Sequence, residues 1–320
     1  MEFAYALPSM TPLATEPPAA SAAALAGLEP LRSVRSRWPT LIGAGLTIAM
    51  LAGLAHALLG RGLAGLHAAT PDDPRFFLFF ALFWATLPLC DFLIFRRLWR
   101  IPPSGLMALV RKRVANDVLI NYSGEALFYA WARARATMVA APFGAIKDVS
   151  ILSAIAGNAF TLTMLAVALP FGRQLLTPEQ FRGGLWLTAV LLVTSLPFLI
   201  FSRRVFSLER AALWEVFAIH CGRVVASAVF TAIAWHYALP GAPLAIWLLM
   251  FAGKQLSSRL PFMSTNQKDL AFVTVANLVV GGHDAIKQLL SFWTALSILV
   301  SVVLVVGFGL YSLVSKGRPW

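Results

Sequence analysis

Apolar runs long enough to cross a lipid bilayer dominate this chain, and the charge collects in the stretches between them. Residues 40–60 and 76–95 are runs of 21 and 20 residues. Each is about the length that ~30 Å of hydrocarbon requires at ~1.5 Å per helical residue. Residues 149–171, 185–201, 216–239 and 289–314 repeat the pattern. These runs predict an all-α, polytopic membrane bundle with about six full spans in a single transmembrane domain, residues 39–314.

Two stretches break the pattern. Residues 104–141 mix Leu, Val, Phe and Trp with charges, and residues 242–282 are apolar but interrupted by Lys254, Gln255, Arg259, Pro261 and the polar run 264–269. Each has the length of a helical hairpin that dips partway into the bilayer. Polar backbone at that depth is tolerated only where protein or a water-filled cavity satisfies it, so broken segments tend to line a pathway. The alternative for the first is an amphipathic helix lying on the inner surface; for the second it is an external loop between short spans. Each half of the domain, about 39–171 and 185–314, then reads as two spans, a broken segment and a span. With three crossings apiece the halves would be inverted repeats, a transporter-like arrangement.

Composition agrees with this solvent. The chain is 59% hydrophobic and only 12% charged, with a mean hydropathy of +0.75, which excludes an ordinary soluble globule. The net charge of +12 is interleaved with apolar runs instead of forming a groove-sized patch, so nucleic acid is not an expected partner. Its distribution follows the positive-inside bias. Residues 96–148 carry nine basic and three acidic side chains, whereas residues 61–75 are balanced. Residues 1–38 lack a basic start and end on Arg32, Arg35, Arg37 and Trp38. They predict an uncleaved, disordered cytoplasmic arm, and residues 315–320 a cytoplasmic tail.

Candidate chemistry is sparse. Cys90 and Cys221 sit in apolar runs and read as packing residues. The five histidines form no metal-ligand pattern, and nucleotide-binding and nucleophile signatures are absent, so no cofactor and no metal are expected. Glu125 lies in an apolar context where an unpartnered carboxylate costs several kcal/mol. Its partners are sought among Arg111, Arg113, Arg133 and Arg135. Arg223 lies within the fifth run, where a guanidinium usually faces the bundle interior and binds phosphate or carboxylate; the bland reading has it snorkelling to the inner face. Asp91 reads as a partner of Arg96 or Arg97. In the second broken segment Lys254, Arg259, Lys268 and Asp269 flank a proline break that suits an anionic head group.

The pair Gly124-Glu125 in the first broken segment, and the proline-led polar loop from Pro261 to Asp269 in the second, resemble the flippase-like transmembrane superfamily typified by the membrane domain of lysylphosphatidylglycerol synthase. The resemblance covers residues 39–314. Phe128 and Tyr129 stand where that family usually has an early arginine, and this polar loop has no glycine. The resemblance implies two inverted halves whose re-entrant helices meet near the bilayer centre and move a lipid head group between leaflets. It does not imply lysyl transfer, and only a few residues follow the sixth run to hold a transferase domain.

The resulting expectation is a lipid or lipid-linked head-group translocase of a bacterial-type inner membrane, acting on a phospholipid or glycolipid. Glu125 and Asp269 would tune a cavity in which Arg223, Lys254 and Arg259 hold the head group. Two other classes stay open. One is a membrane-bound transferase with Glu125 or Asp269 as general base; the other is a non-catalytic scaffold, or a homo-oligomer, packing through Ala, Gly and aromatic faces.

Overall fold

The computed structural model describes residues 70–119, 121–135, 142–175, 206–259, 263–279 and 284–314, with scattered positions between 177 and 193. The expected arm, the first span at 40–60, almost all of the fourth at 185–201 and the tail lie outside these residues. The described residues are helical, with no strand among them. In chain order the helices of defined extent are α1 (Pro74–Trp99), α2 (Gly105–Val118), α3 (Ser123–Arg135), α4 (Pro142–Leu175), α5 (Arg210–Ala238), α6 (Leu244–Ser257), α7 (Thr265–Val279) and α8 (Asp284–Val314).

Four helices are long and apolar enough to cross a membrane: Pro74–Trp99, Phe143–Ala168, Arg210–Ala238 and Asp284–Tyr311. They correspond to the second, third, fifth and sixth expected spans. The helix α1 starts sharply because Asp73 accepts a hydrogen bond from the Arg75 backbone N–H at 2.9 Å, with Pro74 next to the cap. The same Arg75 guanidinium and N–H hold the Asp73 carboxyl below its usual range. The helix ends at Arg100, whose left-handed φ of 51° turns the chain into Pro102 and Pro103.

The two broken segments each fold into a pair of short helices, α2–α3 and α6–α7. At 13 to 15 residues each spans only about 20 Å, short of a full crossing. The first turn is held by Ser123, whose hydroxyl donates to the Ala115 carbonyl at 3.0 Å, and by the Gly124 N–H, which donates to Asn116 Oδ1 at 2.8 Å. The second restarts on a reciprocal cap. Ser264 N–H donates to Gln267 Oε1 at 2.9 Å, and Gln267 N–H donates back to Ser264 Oγ at 3.2 Å.

Packing centres on two large apolar layers with charged residues between them, and a third, smaller apolar cluster joins Val114 and Val118 of α2 to Ile298 and Val305 of α8. Phe76 and Phe80 of α1, Trp235 of α5 and Trp293 of α8 form one layer, joined by residues of α6 and α7. Ile94 and Phe95 of α1, Val149 of α4 and Val216 of α5 form the other, joined by residues of α2 and α3. It follows that α1 and α8 run one way and α5 the other. On α4, Val149 packs in the second layer and Phe160 against the first, so α4 runs parallel to α5. The hairpin α6–α7 therefore leaves and re-enters the first layer, and α2–α3 leaves and re-enters the second. Their turns point toward each other, and Thr265 Oγ1 lies 3.5 Å from the Asn116 carbonyl.

A helix resting on a membrane surface would expose its charges and bury its apolar stripe. The helix α2 buries Lys112, Arg113 and Asp117, so the surface-helix alternative fails for it. The tight α2–α3 turn also explains Gly124. A Cβ there would stand 2.0 Å from the Lys112 carbonyl oxygen, a backbone clash that no rotamer relieves. Gly124→Ala is expected to destabilise the protein by about 1–3 kcal/mol, read as a lowered unfolding temperature in detergent; an unchanged temperature would contradict this turn.

Candidate functional site

The polar layer lies near the midpoint of three of the four helices long enough to span. Asp91 is a turn past the middle of α1, Ser153 and Gly157 straddle the middle of Phe143–Ala168, and Arg223 is close to the middle of Arg210–Ala238. Arg223 is therefore some 20 Å from either end of its helix. Into this level the two hairpins bring Lys112, Arg113, Asn116, Asp117 and Glu125 from one side. From the other come Lys254, Arg259, Lys268 and Asp269.

Most of these charges are compensated at contact distance. Lys112 Nζ lies 2.7 Å from Asp91 Oδ2 and 3.3 Å from Glu125 Oε1, an ammonium between two carboxylates. Asn116 Nδ2 donates to the second Glu125 oxygen at 3.0 Å. Arg113 pairs with Asp117 at 3.3 Å, one turn on, donates to the Trp84 carbonyl and lies over the Trp84 ring at 4.6 Å. Lys254 pairs with Asp269 at 2.5 Å. Lys268 Nζ donates to the Ser258 carbonyl at 3.0 Å.

Two guanidinium groups differ. Arg223 donates one hydrogen bond to Ser153 Oγ at 3.1 Å, and its Nε is buried with no partner. Asp91 is within electrostatic range, but the carboxylate is already engaged by Lys112. Arg259 has a buried Nε with no partner among the described residues, and the groups nearest it electrostatically are Arg223, Lys268 and the Tyr122 phenol. It lies flat against α4, where a Cβ on Gly157 would stand 2.5 Å from both of its terminal nitrogens.

The five expected site residues thus reach one level, in three different settings. Glu125 is 17% exposed, on the rim of the Lys112 triad; Lys254 and Asp269 are closed on each other; Arg223 and Arg259 are under-compensated. Two expected pairings are corrected. Asp91 pairs with Lys112, while Arg97 reaches across to Glu215 of α5. Glu125 takes Lys112 and Asn116, while Arg113 turns to Asp117 and the Trp84 carbonyl; the side chains of Arg133 and Arg135 lie outside the described residues. Sequence reasoning passed over Lys112, Asn116, Ser153 and Gly157. Only the Ser264-to-Gln267 cap carried a recognisable signal, the serine and glutamine three apart.

Cys90 and Cys221 are free thiols. Among the described residues no group of three His, Cys, Asp or Glu side chains could hold a metal ion. The chain matches no known protein family, no curated protein and no solved structure.

An ammonium shared by a buried carboxylate and a partly buried one makes a specific thermodynamic demand. Lys112→Met leaves both acids uncompensated and should cost about 3–5 kcal/mol. Adding Asp91→Asn and Glu125→Gln should recover much of that loss, since a neutral cluster needs no counter-charge. Thermal unfolding of the single and triple variants checks this; equal stabilities would show that the triad is not coupled.

Proposed function

We propose that this protein is a lipid or lipid-linked head-group translocase of an inner, cytoplasmic membrane, with both termini on the cytoplasmic side. The observation that carries the reading is the meeting of two hairpins, one from each apolar layer, at a charged level midway along three of the spanning helices. A head group crossing hydrocarbon unaided faces a cost of many kcal/mol. Fixed donors and acceptors at that level would replace its lost water, while the acyl tails stay in lipid.

Further features support the arrangement. The parallel course of α4 and α5 calls for a return crossing in the intervening chain, where residues 185–201 form an apolar run. Together with the run at 40–60 this makes six crossings and two halves of opposite topology. The resemblance rests on Gly124-Glu125, at the start of α3, and on the polar loop that leads to Asp269 of α7. Arg96, Arg97 and Arg100 gather at the end of α1 that the positive-inside bias assigns to the cytoplasm.

In this reading Glu125 and Asp269 set the charge of the path, each held by a lysine from its own hairpin. Arg223 and Arg259 meet the head group side by side against α4. Lys254 joins them when the Asp269 pair opens. Purified protein in liposomes should accelerate movement of fluorescent lipids in a head-group-dependent manner. Glu125→Gln and Arg223→Ala should each slow it about tenfold or more at matched incorporation, the effect of removing one charge-assisted contact. Activity no higher than in empty liposomes, across anionic, zwitterionic and glycolipid probes with and without a proton gradient, contradicts the reading.

A further inference from the structure

The helix α4 presents two anchor points one turn apart. Ser153 Oγ accepts from Arg223, and the bare backbone face of Gly157 seats Arg259. Residues i and i+4 share a helix face with a rise of about 6 Å between them. Two guanidinium groups from different elements, α5 and the α6–α7 turn, are therefore brought side by side over one turn of a third helix.

Like charges at this spacing repel, and burial weakens the solvent screening that would make the repulsion tolerable. Elsewhere in the polar layer Lys112 has two acids, Arg113 has Asp117 and Lys254 has Asp269, while Lys268 donates to the Ser258 carbonyl. Arg223 and Arg259 have a hydroxyl and a glycine. Their buried Nε groups lack acceptors among the described residues, and Lys268 adds positive charge next to Arg259. A planar guanidinium offers paired N–H donors matched to the oxygens of a phosphate or carboxylate. With two such forks a tetrahedral oxyanion can accept from both sides and cancel the repulsion.

We propose that Arg223 and Arg259, seated on the Ser153-to-Gly157 turn of α4, form a binding site for a phosphate-type oxyanion. This adds a ligand class to the translocase reading, on which its transport role rests, and it separates the ligand-binding cations from Lys254, which Asp269 neutralises. Tyr122 marks the approach. It is 57% exposed on the α2–α3 turn, its φ of 70° is unusual for an aromatic residue, and it lies within electrostatic range of Arg259.

Gly157 supplies an informative variant. The atoms that a new Cβ meets belong to the far end of a flexible arginine, so Gly157→Ala can fold by displacing the guanidinium, and alanine favours the helix. Stability holds or rises while the site is lost. The test uses the full chain in neutral detergent at constant ionic strength, titrated separately with inorganic phosphate and short-chain phosphatidylglycerol, with unfolding temperature as readout. Wild type should show saturable stabilisation. A response to phosphate identifies a free oxyanion as sufficient, and a response to the lipid alone identifies the head group as the source. Gly157→Ala and Arg259→Gln should each bind about tenfold more weakly or worse, while Lys287→Gln, at the start of α8, should bind as wild type does. No saturable response to either probe, or undiminished binding by both site variants, overturns the proposal. Binding without scrambling would leave this site and remove the translocase; scrambling without binding would do the reverse.

Discussion

Ionised groups placed midway along an apolar bundle must be answered locally, because neither water nor salt screens them there. That constraint organises this protein. The three-way contact of Asp91, Lys112 and Glu125 ties α1 to both helices of the first hairpin, and the Lys254–Asp269 pair closes the second hairpin on itself. These contacts make the hairpins rigid units, each with its turn at the level where charge is concentrated. The apolar layers on either side then fix how deep each hairpin reaches.

The layering also explains why irregular backbone can sit inside the bundle. The α2–α3 turn satisfies its first amides with Asn116 and its own carbonyls with Ser123, and the α6–α7 break restarts on the Ser264–Gln267 cap. Each break is therefore hydrogen-bonded from within its own hairpin. The hairpins also meet each other: Thr265 Oγ1 lies 3.5 Å from the Asn116 carbonyl, and Leu270 of α7 packs with Val114 and Val118 of α2.

Much of this fold was legible in the order of residues because hydrophobic length is a local property. The runs at 76–95, 149–171, 216–239 and 289–314 anticipate the four long helices, and charges inside apolar context marked both hairpins. Glu125 and Arg223 stood out for the same reason, since a lone ion in an apolar run needs explanation. Their partners were not legible. Lys112 lies between two arginines equally plausible by spacing, and only helix rotation decides which of the three meets Asp91. Asp91 itself had a satisfactory local partner in Arg97, which instead reaches Glu215 of α5, over a hundred positions away. Gly157 sits in an Ala-rich helix where nothing local distinguishes it; its role exists only because Arg259 arrives from the other hairpin.

The central claim is that the hairpins enter from opposite faces, and sided labelling tests it most directly. Single cysteines at Ser104, at the base of the first hairpin, and at Gly241, at the base of the second, would be introduced after replacing Cys90 and Cys221. An impermeant maleimide would then be applied to right-side-out and inverted vesicles. Both positions are solvent-exposed. The account predicts labelling from opposite sides, with Ser104→Cys reached from the cytoplasmic face; labelling of both from the same side would contradict it.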